Sequence, residues 1–333
     1  MSGMRDASSY LGHPFIANRH VVITSGIRRI YAEVERAVAM GRRSVAFEGP
    51  SNHGKTWTSK ATQKTWISQH SEPVFWFTTK TSLDPKKCNP EAAVWANILR
   101  AVGFPSYAKM RVDQRFDSVL LRIRSACRAS GTDRALMIID EANGLLPEHL
   151  YFLKDLRNVL EGEDDSIDSG APGSITLVYV LFGSEKMGDL NADLVNEGET
   201  TLHGRFFIHR ESFCGLCCKE DLLELLAEMD NGAVLGHPLG SGVSTTQYFF
   251  PAAWQAGWRM EKEVDTLWRV MGQHFPENRD IDVGMGAATD VLKSFFEFLP
   301  QKDTPEFTGT EALWTEALRA SKFVALVNNW RRS

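Results

Sequence analysis

The chain has 333 residues, 43% of them hydrophobic and 24% charged, with a net charge of −5 and an isoelectric point near 6.0. This is an ordinary globular composition, long enough for one large core and a smaller second domain, and it excludes a globally basic nucleic-acid binder steered by a long-range field. No apolar run approaches a membrane span, MSGMRDASSYLGH lacks the build of a secretory signal, and the odd cysteine count speaks against a disulfide framework, so a cytoplasmic protein with reduced thiols and no membrane partner is expected.

The first predicted element, TSGIRRIYAEVERAVAMGRR, sets Ile27, Ile30, Tyr31, Val34 and Val38 at helical spacing while Arg28, Glu33 and Arg36 face away. The apolar SVAFE after it reads as a strand, and residues 49 to 56, GPSNHGKT, match G-x-x-x-x-G-K-[ST] in full. Such a loop binds triphosphates because Gly49 and Gly54 let the backbone curl, so that its N–H groups and the next helix N-terminus converge on phosphate oxygens. Pro50, Ser51, Asn52 and His53 complete the cradle and Trp57 adjoins it; Lys55 is placed beside the terminal phosphates, and Thr56 offers a hydroxyl to Mg²⁺. TWTSKATQKTW then supplies the helix that this strand, loop, helix context requires.

EPVFWFTTK suits a second strand, NPEAAVWANILRAVG a helix, and residues 113 to 130 another helix. The run ALMII then ends in Asp140-Glu141, and five apolar residues before an acidic pair mark a buried parallel strand. Asp140 is thereby expected to complete the metal site and Glu141 to activate water. Strand, helix, strand, helix, strand in this order means crossover units and a parallel sheet with helices on both faces.

PEHLYFLKDLRNVLE reads as a helix and EGEDDSIDSGAPG as an acidic, mobile loop. ITLVYVLFGS is a strand whose end, Gly183-Ser184, brings a hydroxyl to the carboxyl edge of the sheet, where open α/β sheets bind ligands. From about residue 211 the pattern turns helical, in KEDLLELLAEM and TDVLKSFFEFL, interrupted by a glycine-rich stretch from Gly232 to Gly242. The tail TGTEALWTEALRASKFVALVNNWRRS predicts one further helix, with an apolar face suited to docking a partner. Cys214-Gly-Leu-Cys217-Cys218 invites a zinc reading, but no second Cys or His pair follows at finger spacing, so the cysteines are expected to act as small buried hydrophobes. Trp66, Trp76, Trp95, Trp254, Trp258 and Trp268 lie in apolar contexts that favour packing over base stacking.

The phosphate loop, Asp140-Glu141, the strand ending at Ser184 and LHGRFF around Arg205 together resemble the AAA+ ATPases, over roughly residues 20 to 300. Within them, the loop variant PSNHGKT, the continuation IIDEANGLL and the GRF segment are most similar to the transposition regulators of the TnsC, TniB and MuB type. The resemblance implies a parallel-sheet P-loop AAA+ core with a smaller helical lid domain: an N-terminal arm and helix over 1–43, the ATPase domain over 44–210, the lid over 211–300 and a helical tail over 301–333. It implies ATP and Mg²⁺ as cofactors, Ser184 as a γ-phosphate sensor and Arg205 as an arginine finger acting on a neighbouring subunit, with Arg210 the nearby alternative. Many members carry a second sensor arginine in the helical domain; here IDVGMGAATDVLKSFFEF offers only Lys293, with Arg279 upstream, so that role is unassigned.

The implied partners are double-stranded DNA, further copies of the chain in a ring or helical filament, a transposase and a target-selection protein. The stretches matching the family's DNA-contacting loops hold Lys80, Lys86 and Lys87, then Lys109, Arg111 and Arg115, although loop cations are as often merely solvated. Two alternatives stand beside this reading: an AAA+ module that remodels a protein partner, and an ATPase of replication initiation or helicase loading. The second normally adds a winged-helix domain, for which the roughly thirty residues after Gln301 are too few.

Overall fold

The computed structural model describes residues 7–19, 22–79, 89–104, 109–162, 174–235, 237, 238, 240–276, 280–321 and 323–330. In chain order the elements are α1 (Ala7–Gly12), α2 (Ser25–Ala39), β1 (Ser44–Glu48), α3 (Lys55–Gln69), β2 (Val74–Thr78), α4 (Pro90–Ala101), α5 (Val112–Ser130), β3 (Arg134–Asp140), α6 (Pro147–Glu161), β4 (Thr176–Gly183), α7 (Lys186–Asn196), α8 (Thr200–Phe206) and β5 (Arg210–Ser212). Then follow α9 (Lys219–Asp230), α10 (Gly232–Leu235), α11 (Thr245–Phe249), α12 (Pro251–Gln255), α13 (Val264–Gly272), α14 (Met285–Phe298), α15 (Glu311–Ala320) and α16 (Phe323–Trp330). The acidic loop predicted over EGEDDSIDSGAPG lies, from residue 163 to 173, outside the described residues, as do Lys80, Lys86, Lys87 and Arg279.

The five strands form one parallel sheet in the order β2-β3-β4-β1-β5. Of the three inner strands, β3 and β4 are the longest and are buried on both faces, which is why they read as unbroken apolar runs. Their side chains alternate: Ala135, Met137, Ile139, Leu177, Tyr179 and Leu181 join the core under α4, α5 and α6, while Leu136, Ile138, Val178, Val180 and Phe182 join the core that holds Ile30 and Val34 of α2 and Trp66 of α3. Asp140 keeps the parity of Leu136 and Ile138, so the pleat turns it to the side covered by α3. Strand β5 departs from the sequence reading, which places helix from residue 211; its three residues are polar and exposed, so no periodicity betrays it, and it is held by pairing Ala46 with Arg210 and Glu48 with Ser212.

By its contacts the chain divides into a sheet unit, Arg29–Ser51 with Lys55–Phe213, and a helical unit made of the described residues of Met1–Arg28, Asn52–Gly54 and Cys214–Ser333. The helical unit has its own core, including Leu222, Leu225, Leu226, Val291, Phe295, Phe296, Trp314 and Phe323. The tail predicted as one helix is two, α15 and α16, broken at Ser321. Its apolar face is already covered, since Trp314, Leu318, Phe323 and Val327 are buried in that core, so it does not offer a free docking surface there. Cys127 is a buried thiol as expected, but Cys217 and Cys218 are exposed. Among the described residues no three His, Cys, Asp or Glu side chains are grouped to hold a metal ion, and no helix is long and apolar enough to cross a membrane.

Candidate nucleotide site

The parallel sheet brings the ends of β1, β3 and β4 to one edge, with β4 between the strand that leads into the phosphate loop and the strand that ends in Asp140. Gly49, Lys55, Asp140, Glu141 and Ser184 are thus gathered at one place although they are scattered along the sequence. The turn itself is made by Asn52 and Gly54, whose φ of 66° and 99° lie in the left-handed region. Gly49 serves a different purpose from the curl expected of it: a Cβ there would meet the Phe213 carbonyl oxygen at 2.2 Å, so only glycine lets the chain leaving β5 pass.

Lys55 opens α3 and is 7% exposed. Its Nζ donates to the carbonyls of Gly49 at 2.7 Å and Pro50 at 2.6 Å. Burial pulls its pKa down, and the carboxylates of Glu141, Asp140 and Glu185 oppose that pull. Asp140 is 3% exposed, and burial raises its carboxyl above the ordinary range, against a hydrogen bond from the Thr56 hydroxyl and the charge of Lys60. A buried carboxylate bonded to the hydroxyl of the loop Thr is the donor set that suits Mg²⁺, whose charge would offset the desolvation that burial imposes.

Glu141 is exposed and sits at φ 55°, ψ 40°, a left-handed conformation that a non-glycine residue adopts only where its surroundings impose it. Here Thr79, just beyond β2, imposes it: its hydroxyl donates to the Glu141 carbonyl and its N–H to the Asp140 carbonyl at 2.9 Å. Ser184 donates its backbone N–H to Asn143 Oδ1 at 2.8 Å, which ties the end of β4 to the segment following Glu141. Trp57 is 40% exposed, and Lys60 lies over its ring at 5.3 Å and over that of Trp76 at 5.4 Å. Thr79, Lys60 and Asn143 were not singled out by sequence reasoning; a polar residue ending the strand beside Asp140 was the available signal for Thr79.

At the loop tip, His53 is buried and its Nε2 lies 3.3 Å from Asp282 Oδ1, both within the helical unit. Arg205 stands in the last turn of α8, where its Nη1 donates to Asn158 Oδ1 of α6 at 2.5 Å and its carbonyl accepts from Ser44 Oγ at 2.7 Å. Arg210 is ion-paired with Glu48. Of the described DNA candidates, Lys109 and Arg111 are exposed, whereas the Arg115 guanidinium donates to the carbonyls of Ala92 at 2.8 Å and Met110 at 3.2 Å and so binds α4 to α5.

A parallel sheet in the order β2-β3-β4-β1-β5 with a phosphate loop after β1, an acidic pair after β3 and a separate helical unit is the fold of a P-loop AAA+ core with a helical domain. No protein-family model and no curated protein matches the chain. Solved structures do: the Aeropyrum pernix ORC2 protein in ADPNP–ADP complexes, at 15% identity over 89% of this chain and 67% of that one, has a TM-score of 0.54. Its ADP form, at 15% identity over 87% and 66%, has 0.51. Cdc6p from Pyrobaculum aerophilum, at 15% over 84% and 63%, has 0.47. The chain spans about two thirds of the length of these proteins, and at such identities the likeness to the two ORC2 structures establishes the fold alone.

Proposed function

We propose that this chain is a Mg²⁺-dependent ATPase whose nucleotide state governs its assembly on duplex DNA, in the manner of a replication initiator. The observation that carries the nucleotide reading is the gathering of Lys55, Thr56 and buried Asp140 at one sheet edge, with Thr56 bonded to Asp140. Lys55 and the loop N–H groups hold the phosphates, Thr56 and Asp140 hold the metal, and Glu141, turned outward by Thr79, orients water. Bound Mg²⁺ supplies charge neutralisation on the phosphate oxygens. Ser184 reads the terminal phosphate, and Arg205 reaches the nucleotide of a neighbouring copy.

DNA binding is assigned to exposed Lys109 and Arg111, repeated along an assembly so that few phosphate contacts per copy sum. The likeness to the Aeropyrum pernix ORC2 structures supports the initiator setting over the transposition one. The second reading, a transposition regulator that recruits a transposase and a target-selection protein, is favoured by the loop variant GPSNHGKT and the GRF segment. Gel shift on duplex DNA with ATP and with ADP tests what the two share: binding is expected with ATP only, with little sequence preference, and to weaken steeply as salt rises. Equal binding with ADP, or none with ATP, overturns the proposal.

A further inference from the structure

The helical unit contains a turn shaped to the tip of the phosphate loop. The Asn52 carbonyl accepts from Gly286 N–H at 3.0 Å, in the first turn of α14. A Cβ on Gly284 would lie 2.9 Å from that carbonyl oxygen and 3.2 Å from His53 Nδ1, and one on Gly286 would lie 3.0 Å from the same oxygen. Two residues before this turn, Asp282 faces His53 Nε2 at 3.3 Å and also accepts from Gly215 N–H at 2.8 Å, with Cys217 Sγ at 3.8 Å. Burial pushes the Asp282 carboxyl up, but the bonds from His53, Gly215 and Cys217 outweigh it and leave the group below the ordinary carboxylate range.

Carbonyl and N–H of one trans peptide point in opposite directions. A phosphate loop fails if a carbonyl faces the anion, so the orientation of each tip peptide matters for binding. The second sensor arginine has no counterpart on α14, because Lys293 is bonded to Asn18 at 2.7 Å and lies 3.6 Å from Asp290.

Building on the nucleotide reading above, we propose that Asp282 is a positioning residue for the phosphate loop. By holding His53, it keeps the Asn52 carbonyl on the Gly286 N–H and turns the His53 amide N–H the other way, toward the phosphates. The glycines at 284 and 286 leave room for that fit. This latch serves phosphates common to ATP and ADP, whereas a second sensor would distinguish them.

Affinities of the full chain for fluorescent ATP and ADP analogues test this, in the unaltered chain, Asp282→Ala, His53→Ala and the double variant. Each single variant is expected to bind both nucleotides about tenfold more weakly with their ratio unchanged, as when an outer support of a binding group is lost. The double variant should lose no more than a single one, because both act through one contact. Asp303→Asn is the structural control: Asp303 accepts from the N–H groups of Ala252 and Ala253 elsewhere in the unit, so this variant should unfold at lower temperature yet keep its affinity. Unchanged affinity in both single variants, additive losses in the double variant, or loss of ATP affinity alone overturns the latch while leaving the nucleotide reading intact. Failure of the unaltered chain to bind either nucleotide overturns both.

Discussion

Asp140 sits where folding and chemistry make opposite demands. Its carboxyl is raised by burial, so the folded chain binds that proton more tightly than the unfolded chain does. The stability this confers is full below the unfolded pKa and is lost as pH rises through the folded one, above which the buried charge weakens the fold. Asp140→Asn keeps an acceptor for the Thr56 hydroxyl and removes the buried charge. Thermal unfolding without nucleotide should therefore rise by a few degrees at neutral pH, with the gain shrinking in mildly acidic buffer, while Mg²⁺-dependent ATP hydrolysis falls on the order of 10²-fold or more. A lower unfolding temperature at neutral pH would show that the carboxylate is needed by the fold and not only by the site. The acid was legible in the sequence because five apolar residues precede it. The strain that turns Glu141 outward was not, since its cause is a threonine at the end of a different strand.

Among the elements, those built from long periodic runs were read correctly and those held by short polar contacts were not. Strand β4 is an unbroken apolar run and helices α2 and α5 carry their period in apolar residues, whereas β5 is three exposed residues kept in place by the register of β1. The tail is the clearest case. Its apolar face looked available for a partner, but Glu263, 5% exposed, accepts from Trp258 Nε1 at 2.8 Å, Gly309 N–H at 2.9 Å and Trp314 Nε1 at 3.2 Å, and the Trp314 ring stacks on Phe295. A carboxylate that takes donors from three places fixes the chain entering α15, and a Cβ at Gly309 would displace it, meeting Glu263 Oε2 at 2.1 Å. Glu263→Ala leaves those buried N–H groups unpaired and should cost about 3 kcal/mol or more in urea unfolding. A loss below about 1 kcal/mol, the ordinary effect of a point mutation, would mean that water or the tail itself re-satisfies them.

For the whole molecule, the question is whether one copy contains a complete site. Arg205 is held by Asn158 on its own chain and Arg210 by Glu48, so the two arginines near the end of the sheet unit are each engaged at home. An arginine that acts on a neighbour's nucleotide must exchange such contacts within its own chain for a phosphate. If Arg205 makes that exchange on a neighbour's nucleotide, turnover per chain should rise with protein concentration, and Arg205→Ala should lower it on the order of 10³-fold. The decisive measurement is a mixture. A Lys55→Ala chain keeps a sound Arg205 with a damaged loop, and an Arg205→Ala chain keeps a sound loop, so neither hydrolyses ATP alone, yet a seam between them pairs the two intact halves. Steady-state hydrolysis by the mixture should exceed the sum of its components. A mixture no faster than that sum, with unaltered turnover indifferent to concentration, would mean that Arg205 works within its own chain or holds α8 to α6 and nothing more.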